Sequence, residues 1–94
     1  ENPRGEAGRE RLLAMNALDS GHPNTAEVHA RSAGVLYSRL ADPWGKVEAL
    51  LLLAQVALYR SDTDGAREQL IRCEAIADDR LRIHFVIHAT EKKV

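Results

Sequence analysis

The sequence predicts an all-α domain of about five helices, which short turns join into antiparallel hairpins. No segment alternates apolar and polar residues over six positions, so the pattern typical of a half-buried strand is absent. Clusters of Gly, Pro, Asp, Asn and Ser divide the chain into helical stretches separated by two to six residues. Because connections this short place neighbouring helices antiparallel, the stretches are expected to stack as hairpins.

The predicted helices lie between these clusters, at about residues 3–18, 24–41, 44–60, 64–77 and 80–92. The first two form one hairpin over about residues 3–41, and the next two form another over about residues 43–78. The fifth is an extra or capping helix. The whole chain, with 94 residues of which 45% are hydrophobic and 29% are charged, is therefore expected to form a single domain.

Polar residues in front of the first three stretches indicate where these helices begin. Asn2-Pro3 suits a helix start, because a proline in the first turn removes only an N–H that this turn leaves unpaired. Asn24 and Glu27 have the spacing of a capping box for the second helix. Asp42-Pro43 repeats the first pattern at the third helix.

The remaining two starts are marked by acidic residues. Asp62 or Thr63 is the expected cap of the fourth helix, and Asp78-Asp79 is expected to separate the fourth helix from the fifth. Negative charge at a helix start is stabilised by the free N–H groups and the helix dipole. These acids are therefore interpreted as caps and not as catalytic groups or calcium ligands.

The apolar residues of the second and fourth helices each follow one narrow stripe with steps of three and four. The stripes consist of Ala26, Ala30, Ala33, Tyr37 and Leu40 in the second helix and of Ala66, Leu70, Cys73 and Ala77 in the fourth. The third helix is apolar almost all round between Leu50 and Leu58. Because such a helix is usually surrounded by other helices, it is predicted to lie at the centre of the structure.

A shift of 40 residues places the first predicted hairpin on the second. It pairs Leu12 with Leu52, Leu13 with Leu53, Ala14 with Ala54, Ala17 with Ala57, Leu18 with Leu58 and Ala26 with Ala66. The turn residue Gly21 falls on Ser61. A repeat of this length is the sequence signature of a helical solenoid. The alternative interpretation is that two Ala- and Leu-rich helices match through composition alone.

The spacing of the small residues resembles the tetratricopeptide repeat (TPR). The residues that carry this resemblance are Leu53-Ala54, Ala57, Ser61-Asp62, Ala66, Leu70 and Cys73 in the second hairpin and Leu13-Ala14, Ala17, Gly21, Ala26 and Ala33 in the first. Ala30 stands where that family has a large residue, and the period of 40 exceeds the usual value of about 34. The segment 41–50 resembles the longer repeats of bacterial regulators of the MalT and LuxR-like type.

This resemblance implies a right-handed superhelical stack, in which the first helix of each hairpin lines a groove for a peptide or a partner helix. By position, the groove residues are Arg11, Leu12, Met15, Asp19, Glu48, Leu51, Leu52, Gln55 and Tyr59. Relatives that clamp a terminal carboxylate use several Lys, Arg and Asn residues, whereas this groove has only Arg11. It suits an amphipathic helix better. Alternatively, Leu51 and Leu52 are buried against the fifth helix.

The expected function is therefore that of a non-catalytic scaffold or adaptor for protein–protein interaction. The alternative is a sensory or self-association segment of a bacterial transcriptional regulator, in which the stack would couple a ligand or a subunit contact, such as that of a homodimer, to a distant output domain. A third interpretation is a small dimeric helical bundle without repeat ancestry. No cofactor or metal is expected, because His84 and His88 share a helix face but lack the His-Glu-x-x-His pattern and further ligands at a suitable spacing. The lone Cys73 is interpreted as a small buried residue.

Charge and hydropathy exclude two further classes of partner. The net charge of −1 gives no general attraction to nucleic acid or to an anionic membrane, and the chain has few aromatic residues for base stacking. The longest apolar run, Ala49–Ala54, is far shorter than the roughly 18 residues of a membrane-spanning helix. Because no signal-peptide pattern is present, a cytoplasmic location is expected.

Overall fold

The computed structural model describes the backbone of residues 2–92 and the side chains of residues 2–79. Over this range the chain forms four α-helices without a strand: Pro3–Asp19 (α1), Pro23–Arg39 (α2), Pro43–Tyr59 (α3) and Thr63–Lys92 (α4). The all-α prediction is confirmed, and the bounds of the first three helices agree with the predicted ones to within two residues.

The fourth and fifth predicted helices are one continuous helix, so the predicted break at Asp78-Asp79 is wrong. An aspartate inside a helix costs only about 0.7 kcal/mol relative to alanine. The chain from Ala66 onward contains no glycine or proline that would end the helix. α4 consequently has 30 residues, whereas α1, α2 and α3 have 17 each.

The three connections between the helices have the same backbone geometry. In each of the segments 20–22, 40–42 and 60–62, the middle residue has a positive φ, which is 79° at Gly21, 53° at Ala41 and 60° at Ser61. The N–H groups of the middle and last residues donate back to carbonyls of the preceding helix, with N···O distances of 2.8–3.1 Å. This is the Schellman motif, and it recurs every 20 residues. The 40-residue shift is therefore two of these units.

Ala41→Gly is expected to raise the free energy of unfolding by about 1 kcal/mol, because a left-handed backbone strains every residue with a Cβ. Equilibrium urea unfolding measures the effect. Ala75→Gly is the matched control, since Ala75 lies exposed inside α4, where the same change should cost about 1 kcal/mol. If both variants lose stability equally, the left-handed turn at Ala41 is contradicted.

Three of the predicted caps are present. The backbone N–H of Arg4 donates to Asn2 Oδ1 over 3.0 Å, and that of Gly45 donates to Asp42 Oδ1 over 3.0 Å. At the start of α4, the N–H of Gly65 donates to Asp62 Oδ1 over 2.9 Å. These carboxylates and this amide therefore pair N–H groups that the first helical turn leaves free.

The predicted capping box of the second helix is wrong, because the helix begins one residue earlier, at Pro23. His22 occupies the N-cap position and makes no side-chain capping bond. Asn24 and Glu27 instead accept hydrogen bonds from the guanidinium of Arg60, the latter at 3.2 Å. These bonds join the start of α2 to the end of α3.

Helix α3 lies at the centre of the structure, as predicted, because it packs against α1, α2 and α4. Its buried residues are Gly45, Ala49, Leu50, Leu52, Leu53, Ala54, Val56 and Ala57. The predicted stripe of α2 is also buried from Ala26 to Tyr37. In α4, Ala66 and Cys73 are buried, whereas Leu70 is exposed.

Two of the gaps that the packing leaves lie on different sides of α3. α1 contacts both α2 and α3, whereas α2 and α4 do not pack against each other over the described part of the chain. One gap is a cleft between α1 and α3, and the other lies between α2 and α4 with α3 as its floor.

Candidate partner-binding surface

The cleft between α1 and α3 contains six of the nine residues predicted to bind a partner. It has a volume of about 200 Å³ and is lined by Arg11 and Met15 of α1 and by Glu48, Leu51, Leu52 and Gln55 of α3. Residues on α3 at steps of three and four share one face, and residues 11 and 15 of α1 are also one turn apart. The helical register therefore explains why these residues meet.

An ion pair connects the two walls of the cleft. Arg11 Nε lies 3.1 Å from Glu48 Oε2, and the same guanidinium lies 3.8 Å from the sulfur of Met15. Both charged side chains are partly exposed, so the pair contributes little to stability. The pair engages Arg11, which is the only cationic residue among those that line the cleft. The lining therefore has no free basic group to bind a carboxylate.

Two adjacent leucines of the cleft have different surroundings. Leu52 is buried and belongs to the central apolar cluster with Ala14, Leu50 and Leu53. Leu51 retains 40% of its accessible surface. Leu52 therefore forms part of the floor of the cleft, whereas Leu51 is available for contact with a second molecule.

The other three predicted residues do not line the cleft. Leu12 and Asp19 are exposed on α1. Tyr59 is exposed at the end of α3, one turn beyond Gln55, with its hydroxyl beside Gly21 in the first turn. Six of the residues predicted from position in the repeat therefore lie together at the cleft, and three lie elsewhere on the same two helices.

An exposed apolar stripe continues the cleft along α3. Its apolar residues are Trp44, Leu51 and Leu58, which alternate with the polar residues Glu48 and Gln55 at steps of four and three, and all five are exposed. Trp44 is 56% exposed and Leu58 is 57% exposed, although α3 is the central helix. The sequence analysis did not assign Trp44 and Leu58 to the site. Their spacing from Leu51 was the signal that could have identified them.

Side chains that could ligate a metal are not clustered in the described part of the chain. No group of three His, Cys, Asp or Glu side chains among them is placed to hold a metal ion. The side chains of His84 and His88 lie outside the described residues. Cys73 is buried, its Sγ lies 3.7 Å from the carbonyl oxygen of Val47, and burial raises the pKa of its thiol, which opposes formation of a nucleophilic thiolate.

No helix in the described part of the chain combines the length and the apolar character needed to cross a membrane. The chain matches no protein-family model, no curated protein sequence and no solved structure. The candidate site is consequently defined by its own geometry, and the resemblance to the TPR remains a prediction from the residues quoted above.

Proposed function

We propose that the domain is a non-catalytic protein–protein interaction module, which binds a peptide or a partner helix in the cleft between α1 and α3. The observation that carries this proposal is the exposed apolar stripe of α3. Trp44, Leu51 and Leu58 expose large apolar side chains two helical turns apart on this face, and exposed apolar surface rimmed by polar residues is typical of interaction sites. In this domain they border a cleft whose other wall includes Met15.

The dimensions of the stripe favour a helical partner. Residues 44 and 58 are 14 positions apart, which corresponds to about 21 Å of helix and therefore to about four turns of an opposing helix. An amphipathic helix would place apolar residues at steps of three and four against Trp44, Leu51 and Leu58. Arg11, Glu48 and Gln55 would fix its orientation through polar contacts at the edge.

The repeated architecture supports the proposal that the domain is a TPR-like hairpin stack. Helices begin at residues 3, 23, 43 and 63, so the first hairpin and the second are equivalent under the 40-residue shift. α1 contacts α3, the equivalent helix of the next unit. Stacked hairpins that meet in this way present their first helices on one face, which is the face of the cleft.

The alternative proposal, self-association of a regulatory protein segment, rests on the same stripe. An apolar stripe on one chain is also a surface for the stripe of a second copy, because a two-fold axis brings identical patches together. The two proposals differ in what covers Leu51, and the oligomeric state separates them.

A peptide selection tests the interaction proposal. A displayed library of 16-residue helical peptides, with five positions varied along one face, is selected for binding to the wild-type domain. We expect enrichment of large apolar residues at steps of three and four. Leu51→Glu should weaken the selected peptides at least about tenfold, because burial of a leucine contributes about 1.5–3 kcal/mol and the new charge opposes it.

The matched control is Val28→Glu, since Val28 is also an exposed apolar residue but lies on α2 outside the cleft. This variant should bind the peptides as the wild type does. Both variants should have a free energy of unfolding within about 1 kcal/mol of the wild-type value. Equal binding by Leu51→Glu and the wild type would refute the site. Unfolding of Leu51→Glu would show that Leu51 belongs to the core.

A further inference from the structure

A second cavity lies on the side of α3 that faces away from the cleft, between α2 and α4. Its volume is about 220 Å³. The floor includes the small residues Ala30, Gly34 and Ala49, and three cationic side chains, Arg31, Lys46 and Arg72, come from the three helices around it. On α3, Lys46 and Ala49 lie on the face opposite Glu48, Leu51 and Gln55, so the two cavities are separate.

Lys46 is partly buried at this cavity without a negative partner. Its Nζ lies 3.4 Å from the carbonyl oxygen of Gly34, and no carboxylate in the described part of the chain lies within 4.0 Å of it. Burial lowers the pKa of the Lys46 ammonium, and the positive charge of Arg72 lowers it further. Removal of a cation from water without a compensating charge is unfavourable, so an anion at this position would be stabilised.

The two arginines are only partly compensated by the protein. Arg31 Nη2 lies 3.0 Å from Glu27 Oε2. No other residue that lines the cavity pairs with this carboxylate. Arg72 Nη1 lies 3.4 Å from the neutral side-chain oxygen of Gln69. Within the described residues, the lining of the cavity therefore includes three cations and no carboxylate, and Glu27 pairs with one of these cations from outside the lining.

A larger cavity also has Lys46 in its lining, but there the carboxylate of Asp42 accompanies the lysine. It measures about 410 Å³, and its lining includes Asp42 beside Tyr37 and Pro43. The carboxylate of Asp42 caps α3 and pairs with Arg4 at 3.2 Å. An anion is thus favoured on the side of Lys46 that faces Arg31 and Arg72.

We propose that the cavity between α2 and α4 binds a small organic anion, namely a carboxylate with a short aliphatic body. The carboxylate pairs with Lys46 and Arg72, which supply charge-assisted hydrogen bonds. The aliphatic body lies against Val35 and Leu53, apolar side chains of the lining that retain accessible surface. The volume of the cavity equals that of about seven water molecules, which suits a ligand with a similar number of non-hydrogen atoms.

Hexanoate, with eight non-hydrogen atoms, is the probe. It is titrated into the 15N-labelled chain at constant ionic strength, and the amide signals are followed by NMR. We expect saturable shifts at Gly34, Lys46 and Arg72, whereas hexan-1-ol should bind at least about tenfold more weakly because it lacks the charge. Shifts confined to other parts of the chain, or equal binding of the alcohol, would overturn the proposal.

Two variants separate loss of binding from loss of folding. Lys46→Met should weaken hexanoate at least about tenfold while the melting temperature stays the same or rises, since an unpaired, partly buried cation is removed. In Gly34→Ala, the new Cβ would lie 3.3 Å from Lys46 Nζ and 3.6 Å from Ala49 Cβ, so it narrows the floor and should also weaken binding. The flexible end of the lysine can move aside, and the helix is retained.

Arg9→Gln is the control for net charge, because Arg9 is exposed on α1 and the substitution removes the same single charge. It should leave hexanoate binding unchanged. If Arg9→Gln weakens binding as much as Lys46→Met, the attraction is general and the site is refuted. Inorganic phosphate should bind more weakly than hexanoate, and equal affinity would overturn the assigned ligand class.

Discussion

Gly45→Ala is expected to lower the free energy of unfolding by about 1 kcal/mol, although alanine is the better helix former. A Cβ at Gly45 would overlap the ring of Tyr37, which packs directly on the first turn of α3. Tyr37 is only 7% exposed and is held by Ala7, Ala33 and Ala49, so its ring has little room to move. Overpacking of a core costs about 1–3 kcal/mol, which outweighs the gain in helix propensity of about 1 kcal/mol. Equilibrium unfolding in urea measures the difference.

Gly8→Ala provides the matched control for this prediction. Gly8 also lies inside a helix, but no atom outside its own helical backbone would lie within 4 Å of a new Cβ. The same substitution should therefore stabilise the fold by up to about 1 kcal/mol. Replacement of Tyr37 by leucine in the Gly45→Ala background should recover part of the loss, because the overlap is removed. A gain in stability from Gly45→Ala alone would contradict the contact between α2 and α3.

Leu50→Ala is expected to have the largest effect, a loss of about 3–4 kcal/mol. Leu50 is 2% exposed and lies in the central cluster with Ala30, Leu53 and Cys73, so its truncation leaves a cavity that rigid helices cannot fill. Urea unfolding, with the slope of the transition checked for two-state behaviour, gives the value.

The next residue along the chain is the control. Leu51→Ala should cost less than about 1 kcal/mol, because this side chain remains 40% exposed at the cleft. The two substitutions are chemically identical and adjacent, so a difference between them reports only which face of α3 each residue occupies. Equal losses would place Leu51 in the core and remove the basis for the proposed partner-binding surface.

Local signals in the sequence were sufficient for most helix ends. Asn2, Asp42 and Asp62 cap helices because a side-chain oxygen in front of a first turn has N–H groups to accept from. The same reasoning failed at Asn24, where Pro23 had already started the helix. It also failed at Asp78-Asp79, because a weakly unfavourable residue pair does not end a helix that no glycine or proline interrupts.

The exposure of a side chain depends on which helices surround it. The repeat pattern alone does not give this information. Leu12 and Leu52 are equivalent under the 40-residue shift, yet Leu12 is exposed and Leu52 is buried. The reason is that α3 is covered by three helices, whereas α1 packs only against α2 and α3 within the described residues.

On the surface of α3, some residues of the candidate site could be predicted from the sequence and others could not. Arg11, Glu48 and Gln55 were assigned to the candidate surface from their register and do meet at the cleft. Trp44 was overlooked because it was considered only as the start of a helix. The cavity beside Lys46 could not be predicted, since it arises where small residues of α2 and α3 meet a third helix.

The solution mass of the wild-type chain, measured by light scattering coupled to size exclusion over a range of micromolar concentrations, tests the central claim most directly. The claim is that the cleft and the stripe of α3 are open to a different protein. The predicted result is the mass of one chain at every concentration, for the wild type and for Leu51→Glu alike. A stable dimer of the wild type that Leu51→Glu converts to a monomer would contradict the claim, because a second copy would then cover the stripe.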